Sequence, residues 1–111
     1  MKKIYICHTL TAGGVNDGVT ESMNVGKYLR WVAFAHEQGL CVISWVHNYL
    51  NQVYKLTDHF SYEKYMEIDK ELLSMADEVW VGSDPADSQG VREEIEHAKN
   101  LGIPIKEVWK D

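Results

Sequence analysis

The chain is poor in the residues that usually signal a special class. Its 111 residues include two prolines, two phenylalanines and two cysteines. The cysteines, Cys7 and Cys41, form no CxxC pair and no Cys/His spacing, so a structural zinc site is not expected. Both lie in apolar, strand-like runs and read as buried free thiols of a reducing compartment. Basic charge is scarce as well: 11 Lys and Arg face 17 Asp and Glu, a net charge of -6. A nucleic-acid polymer needs a basic face, so it is excluded as a partner. Small phosphorylated ligands are not excluded, because helix N-termini hold phosphate without Lys or Arg. Long apolar runs are missing; Leu40 to Val46 is far too short to span a membrane. Met1-Lys2-Lys3 leads straight into Ile4-Tyr5-Ile6-Cys7 with no leader-like apolar region, and a cytoplasmic protein is expected.

What remains is an ordinary globular composition, 45% hydrophobic and 25% charged, enough for one core in a single domain over residues 1–111. Strand-like and helix-like segments alternate. Lys3 to Cys7 is predicted as strand one, and residues 8 to 19, with Gly13, Gly14, Asn16, Asp17 and Gly18, as a loop. A helix over 21–38 follows from Val25, Leu29, Val32, Ala33 and His36, with Thr20 as its cap and Gly39 as its stop. Leu40 to Trp45 is strand two, and 46–60 reads as irregular, polar and aromatic. Ser61 caps a helix to about Ala76, and Glu78 to Gly82 is strand three. Ser83 to Asp87 is a loop, Ser88 to Leu101 a helix stopped by Gly102, and Ile103 to Trp109 strand four. Such alternation implies right-handed βαβ units: a small α/β, flavodoxin- or Rossmann-like parallel sheet in the order 2-1-3-4, with three helices over both faces. Its ligand crevice lies beyond the strand ends where the winding reverses, between strands one and three. The bordering loops, His8 to Gly18 and Ser83 to Ser88, are the Gly-, Ser-, Thr- and Asp-rich parts of the chain.

Two carboxylates are candidates for chemistry there. Asp69 interrupts the apolar stripe Tyr62, Tyr65, Met66, Leu72, Leu73, Ala76, where a charge is costly unless paired; it is either a hydrogen-bonded structural residue or a carboxylate aimed at a ligand. In the last helix Val91, Ile95, Ala98 and Leu101 set the core stripe. At about 100° per residue Glu94 falls on its edge, while Glu93 points into solvent. Converging carboxylates serve as nucleophile or base and as acid or orienter. Asp87-Ser88-Gln89-Gly90-Val91 offers a hydroxyl, a close-approach glycine and free helix N-terminal amides, which is either a plain N-cap or an anion cradle. His8 follows strand one and faces the crevice. His36 reads as packed on its helix, and Cys7 and His8 point to opposite faces and do not pair.

With these residues placed, the chain resembles the nucleoside 2-deoxyribosyltransferase superfamily, which includes 2'-deoxynucleoside 5'-phosphate N-hydrolases and small, often phage-encoded members. Ser88 to Ala98 followed by Gly102-Ile103-Pro104 is similar to its S-x-G-x-x-x-E-x-x-x-A and G-x-P pattern. Asp69 to Asp77 is similar to D-x-x-x-L-x-x-A-D, and Tyr5 to Thr9 to its first strand and following loop. The resemblance implies catalytic roles for Glu94 as nucleophile, Asp69 and Tyr5. It implies ligand or phosphate binding by Ser88 and Gly90, to which His8 and Thr9 at the loop entrance are added. It further implies N-glycosidic cleavage or transfer on a nucleoside or nucleotide, without cofactor or metal. His8 and Thr11 stand where family hydrolases carry a glycine and a phosphate-meeting arginine. The alternatives are a non-catalytic protein sequestering ADP-ribose-like or cyclic nucleotide signals, and a purely structural module. A homo-oligomer is expected, because the aromatic stretch Trp45 to Phe60 is too long and apolar for a free loop; residues such as Tyr49 or Tyr54 would pack on a partner chain.

Overall fold

The computed structural model describes residues 1–10 and 18–110; most of the loop after strand one, with Thr11, Gly13, Gly14, Asn16 and Asp17, lies outside the described residues. A four-stranded, all-parallel sheet runs in the order β2-β1-β3-β4, with β1 at Lys3–Cys7, β2 at Cys41–Ile43, β3 at Glu78–Val81 and β4 at Ile105–Lys106. The expected α/β sheet and its strand order are therefore present. Central β1 is flanked on both sides, and Ile4, Tyr5, Ile6 and Cys7 are wholly buried, as a continuous apolar run in a parallel sheet should be.

Side-chain alternation divides the sheet's two faces. Tyr5 is in register with Val79, and Ile6 with Trp80. Trp80 meets Phe34 of α1 (Gly18–Glu37), ring centroids 6.0 Å apart. Tyr5, on the other face, meets Glu94 of α4 (Gln89–Leu101), which packs beside α3 (Tyr62–Ser74). Helices thus cover both faces. Two caps are as the sequence predicts: Ser61 accepts from the Lys64 amide at 3.2 Å, and Gly102 closes α4 at φ 71°, where a side chain would be strained.

Several expectations need correction. There are four α-helices among the described residues, not three, because α2 (Val46–Val53) occupies part of the stretch read as irregular. Local polar anchors make it: Ser44 Oγ accepts from the Val46 amide at 3.1 Å, and Asn48 is buried rather than solvated. In α1 the buried face is Asn24, Tyr28 and Ala35, one position off the predicted stripe, and His36 is exposed. Asn24 donates to the Leu10 carbonyl at 2.7 Å and Tyr28 to Ser44, so polar ends are satisfied on a face that hydrophobicity alone does not select. The helix also begins at Gly18, which puts Thr20 inside it rather than at its cap. β2 is an edge strand shorter than 40–45, and Cys41 on it is exposed; only Cys7 is a buried thiol. β4 is shorter than 103–109 because the chain turns into a 3-10 helix at Val108–Lys110. Another 3-10 turn, Pro85–Asp87, sits in the loop after β3.

Among the described residues no helix is long and apolar enough to cross a membrane.

Candidate active site

The crevice lies beyond the ends of β1 and β3, as the topology requires, and deepens under α3 and α4 into a cavity of about 550 Å3. Tyr5, His8, Asp69, Ser88, Gly90 and Glu94 all line it. Of the seven residues selected from sequence, only Thr9 does not: it is buried, and its amide donates to Ser83 Oγ at 2.8 Å, joining the two loops that border the crevice.

Glu94 is the innermost charge, 6% exposed. Stripe-edge geometry understates this; α4 is turned so that Val91, Glu94 and Ala98 all face inward. The Tyr5 hydroxyl, rooted in the most buried strand, donates a short hydrogen bond to Glu94 Oε2. Burial pushes the Glu94 carboxyl up to about 8, and Asp69 pushes the same way, against the Tyr5 hydrogen bond. Tyr5 is held well above its ordinary value by burial and then by Glu94, so it remains a donor.

Asp69 projects from α3 into the same cavity. Asn48, on the unpredicted α2, donates Nδ2 to Asp69 Oδ1 at 2.9 Å and to the Tyr65 carbonyl at 3.1 Å. Asp69 thus has a hydrogen-bond partner and also lines the cavity. Burial raises it to about 6, while the Asn48 hydrogen bond and the nearby His47 lower it. As pH rises, Asp69 therefore loses its proton before Glu94. Glu93, expected in solvent, instead accepts from the Tyr62 hydroxyl at 2.6 Å, closing the α3–α4 seam beside the cavity.

The α4 end of the cavity is lined by Asp87, Ser88, Gln89, Gly90 and Arg92. Ser88 Oγ accepts from the Val91 amide at 3.2 Å and caps the helix. A Cβ at Gly90 would stand 3.2 Å from Met66 Cε, a close contact that the flexible methionine would have to yield to. Arg92 also lines the cavity, its Nη1 donating to the Pro85 and Ala86 carbonyls at 2.9 and 3.2 Å. The sequence pattern gave no role to Arg92, although it lies two residues past Gly90 in the first turn of α4. Aromatic walls come from Trp45, Tyr62 and Tyr65. Trp45 is fixed by Nε1 donating to the Ile6 carbonyl at 2.9 Å and by its ring against Tyr28. Among the described residues no group of His, Cys, Asp and Glu is arranged to hold a metal ion.

Compared with known proteins, residues 2–108 match one family model, described as Domain of unknown function (DUF7768). No curated protein and no solved structure matches the chain significantly.

Proposed function

The chain belongs to the DUF7768 family, whose description names no activity, and from its site we propose that it binds a nucleoside or nucleotide and cleaves or transfers at the N-glycosidic bond. The observation that carries this reading is the buried Tyr5–Glu94 hydrogen bond opening, with Asp69, into one cavity. Glu94 Oε attacks C1' of the sugar as the C1'–N bond breaks, and the departing base takes its electron pair and then a proton. Water attacks C1' of the glycosyl ester and regenerates the carboxylate, or a second base accepts the sugar. Tyr5 orients Glu94. Asp69, ionised first, orients the sugar through a hydroxyl. Tyr62, Tyr65 and Trp45 offer faces for a base, and Ser88, Gly90 and Arg92 an anionic end. The reading needs no cofactor.

The same reading places the protein in the cytoplasm, with Cys7 as a free thiol, and as a homo-oligomer. Supporting the latter, Leu50, Val53, Tyr54 and Leu56 are exposed on α2 and the turn after it, beside the cavity wall that Trp45 and Gln52 form.

Incubation with a panel of deoxynucleosides, deoxynucleotides and cyclic ADP-ribose-type molecules tests the reading. Appearance of free base supports it. Intact ligand recovered after heat denaturation, with no base released, replaces it with sequestration, which an aromatic-walled cavity would also serve.

A further inference from the structure

His8 is a buried polar residue of the cavity that the proposed chemistry leaves unused, and its hydrogen bonding is constrained. Nδ1 lies 2.8 Å from the Thr9 carbonyl oxygen. A carbonyl only accepts, so Nδ1 carries the proton, and in a neutral ring Nε2 is then a bare lone pair. The ring is 7% exposed and lines the cavity. Tyr28 stands edge-on to it at 6.5 Å, and a Cβ at Gly82 would come 3.2 Å from His8 Cδ2 and 2.9 Å from Trp31 Cδ1. Gly82 is thus required where the two rings converge.

We propose that His8 is a specificity-determining acceptor, its Nε2 taking a hydrogen bond from an O–H or N–H group of the ligand, so that the β1 end of the cavity is a subsite for an uncharged donor and not for a phosphate. An anionic oxygen would set lone pair against lone pair there. On the proposed reading an anionic group would sit instead toward Ser88, Gly90 and Arg92, beside Asp87. The two subsites together give the ligand one orientation along the carboxylates. Charge is consistent with this: burial lowers the His8 pKa from its ordinary value and Lys27 of α1 adds to the effect, the Thr9 hydrogen bond opposing both. Glu94 of α4 and Asp69 of α3 line the same cavity.

The inference rests on the nucleoside reading of the site, and it is tested by binding, separately from turnover. Calorimetry on Glu94→Gln protein, in which the proposed nucleophile is removed, compares 2'-deoxyadenosine with analogues lacking the 3'-hydroxyl, the 5'-hydroxyl or the exocyclic amine. One analogue should bind about tenfold more weakly than 2'-deoxyadenosine, and that gap should shrink to about twofold in the His8→Phe, Glu94→Gln double variant. The identity of that analogue names the donor. Nitrogen-15 spectra of the ligand-free, unsubstituted protein should show the Nδ1–H tautomer at neutral pH, a readout that needs no substitution to fold. Absence of base release by the unsubstituted protein would end the N-glycosidic reading and leave these results standing. Equal binding of all analogues, a gap that persists in His8→Phe, absence of nucleoside binding, or a ring protonated at Nε2 would each overturn the role of His8.

Discussion

The α3–α4 side of the molecule and the α1–α2 side depart from the usual distribution of residues in opposite directions. On the first, ionisable carboxyls are inside: Glu94 is buried and Asp69 largely so. On the second, apolar side chains are outside: Val19, Met23, Leu29 and Phe34 on α1, and Leu50, Val53, Tyr54 and Leu56 on and after α2. A buried carboxylate weakens the fold unless it is given partners, and an exposed apolar patch is a liability unless it is covered. The contrast teaches that the two sides serve different ends. The first holds buried carboxyl groups at an energetic cost; the second exposes apolar surface.

The largest expected effect breaks the comparison within α4 itself. Glu94→Ala should reduce base release about a thousandfold or more, the scale seen when a nucleophile is removed. Glu93→Ala should leave it within a few-fold, because Glu93 receives only the Tyr62 hydroxyl. Equal losses in both would remove the distinction between an inward and a seam carboxylate.

Next in size is the effect of pH on stability. Glu94 is raised from 4.5 to about 8, so the folded state holds its proton more tightly than the unfolded chain. Stability is then greatest below pH 4.5 as far as this group is concerned, and it is lost as pH rises toward 8. The full difference is at most on the order of 5 kcal/mol, because a buried site relaxes and admits water. Glu94→Gln should therefore raise the melting temperature at pH 8 and leave it nearly unchanged at pH 4, in thermal scans at both. Base release should run the other way, rising with pH and levelling above about 8 as the nucleophile ionises. An activity that falls steadily from pH 6 to 8 would argue against Glu94 as the attacking group.

How far these features can be read without coordinates differs between the two sides, for a physical reason. Around α4, local chemistry and tertiary placement largely agree: Ser88 caps, Gly102 stops, and Val91 and Ala98 are buried as the stripe predicts, although Leu101 is exposed and Glu94 takes a place on the buried face. α1 carries apolar residues around much of its circumference, so periodicity selects Val25, Leu29 and His36, whereas contacts with Leu10 and Ser44 select Asn24 and Tyr28. α2 lacks a side-chain cap at Trp45 and is anchored by Asn48 reaching across to α3, a contact 21 residues away in sequence that no local pattern encodes. Asn48 as the partner of Asp69 was illegible for that reason, and Arg92 because its place at the cavity depends on how the 85–87 turn folds against α4.

On the apolar side, the test is association. Light scattering at micromolar concentration should give a mass above the 12.8 kDa of one chain. Tyr54→Ser with Leu56→Ser should shift it toward the monomer with little change in the unfolding enthalpy per chain, since Tyr54 is 70% and Leu56 69% exposed. A monomer with full ligand binding in the unsubstituted protein would mean that this surface has no partner copy.

The smallest effect concerns Asp69, where the two sides meet through Asn48. With its carboxyl raised to about 6 by burial, Asp69 is charged at pH 7 in a place that disfavours charge. Its ionisation costs the folded state progressively between pH 3.8 and about 6, and the cost is complete at pH 7. An amide in its place keeps a carbonyl oxygen for the Asn48 donor while removing the charge and its repulsion of Glu94. Asp69→Asn should therefore hold the melting temperature or raise it by roughly a degree or two at pH 7. The gain should vanish near pH 4, where the native side chain is already protonated. It stays small because Asp69 is only partly buried, so solvent screens its charge. A fall of many degrees at pH 7 would show that the carboxylate is needed to hold α2 against α3, and the charge would then serve the fold before it serves the cavity.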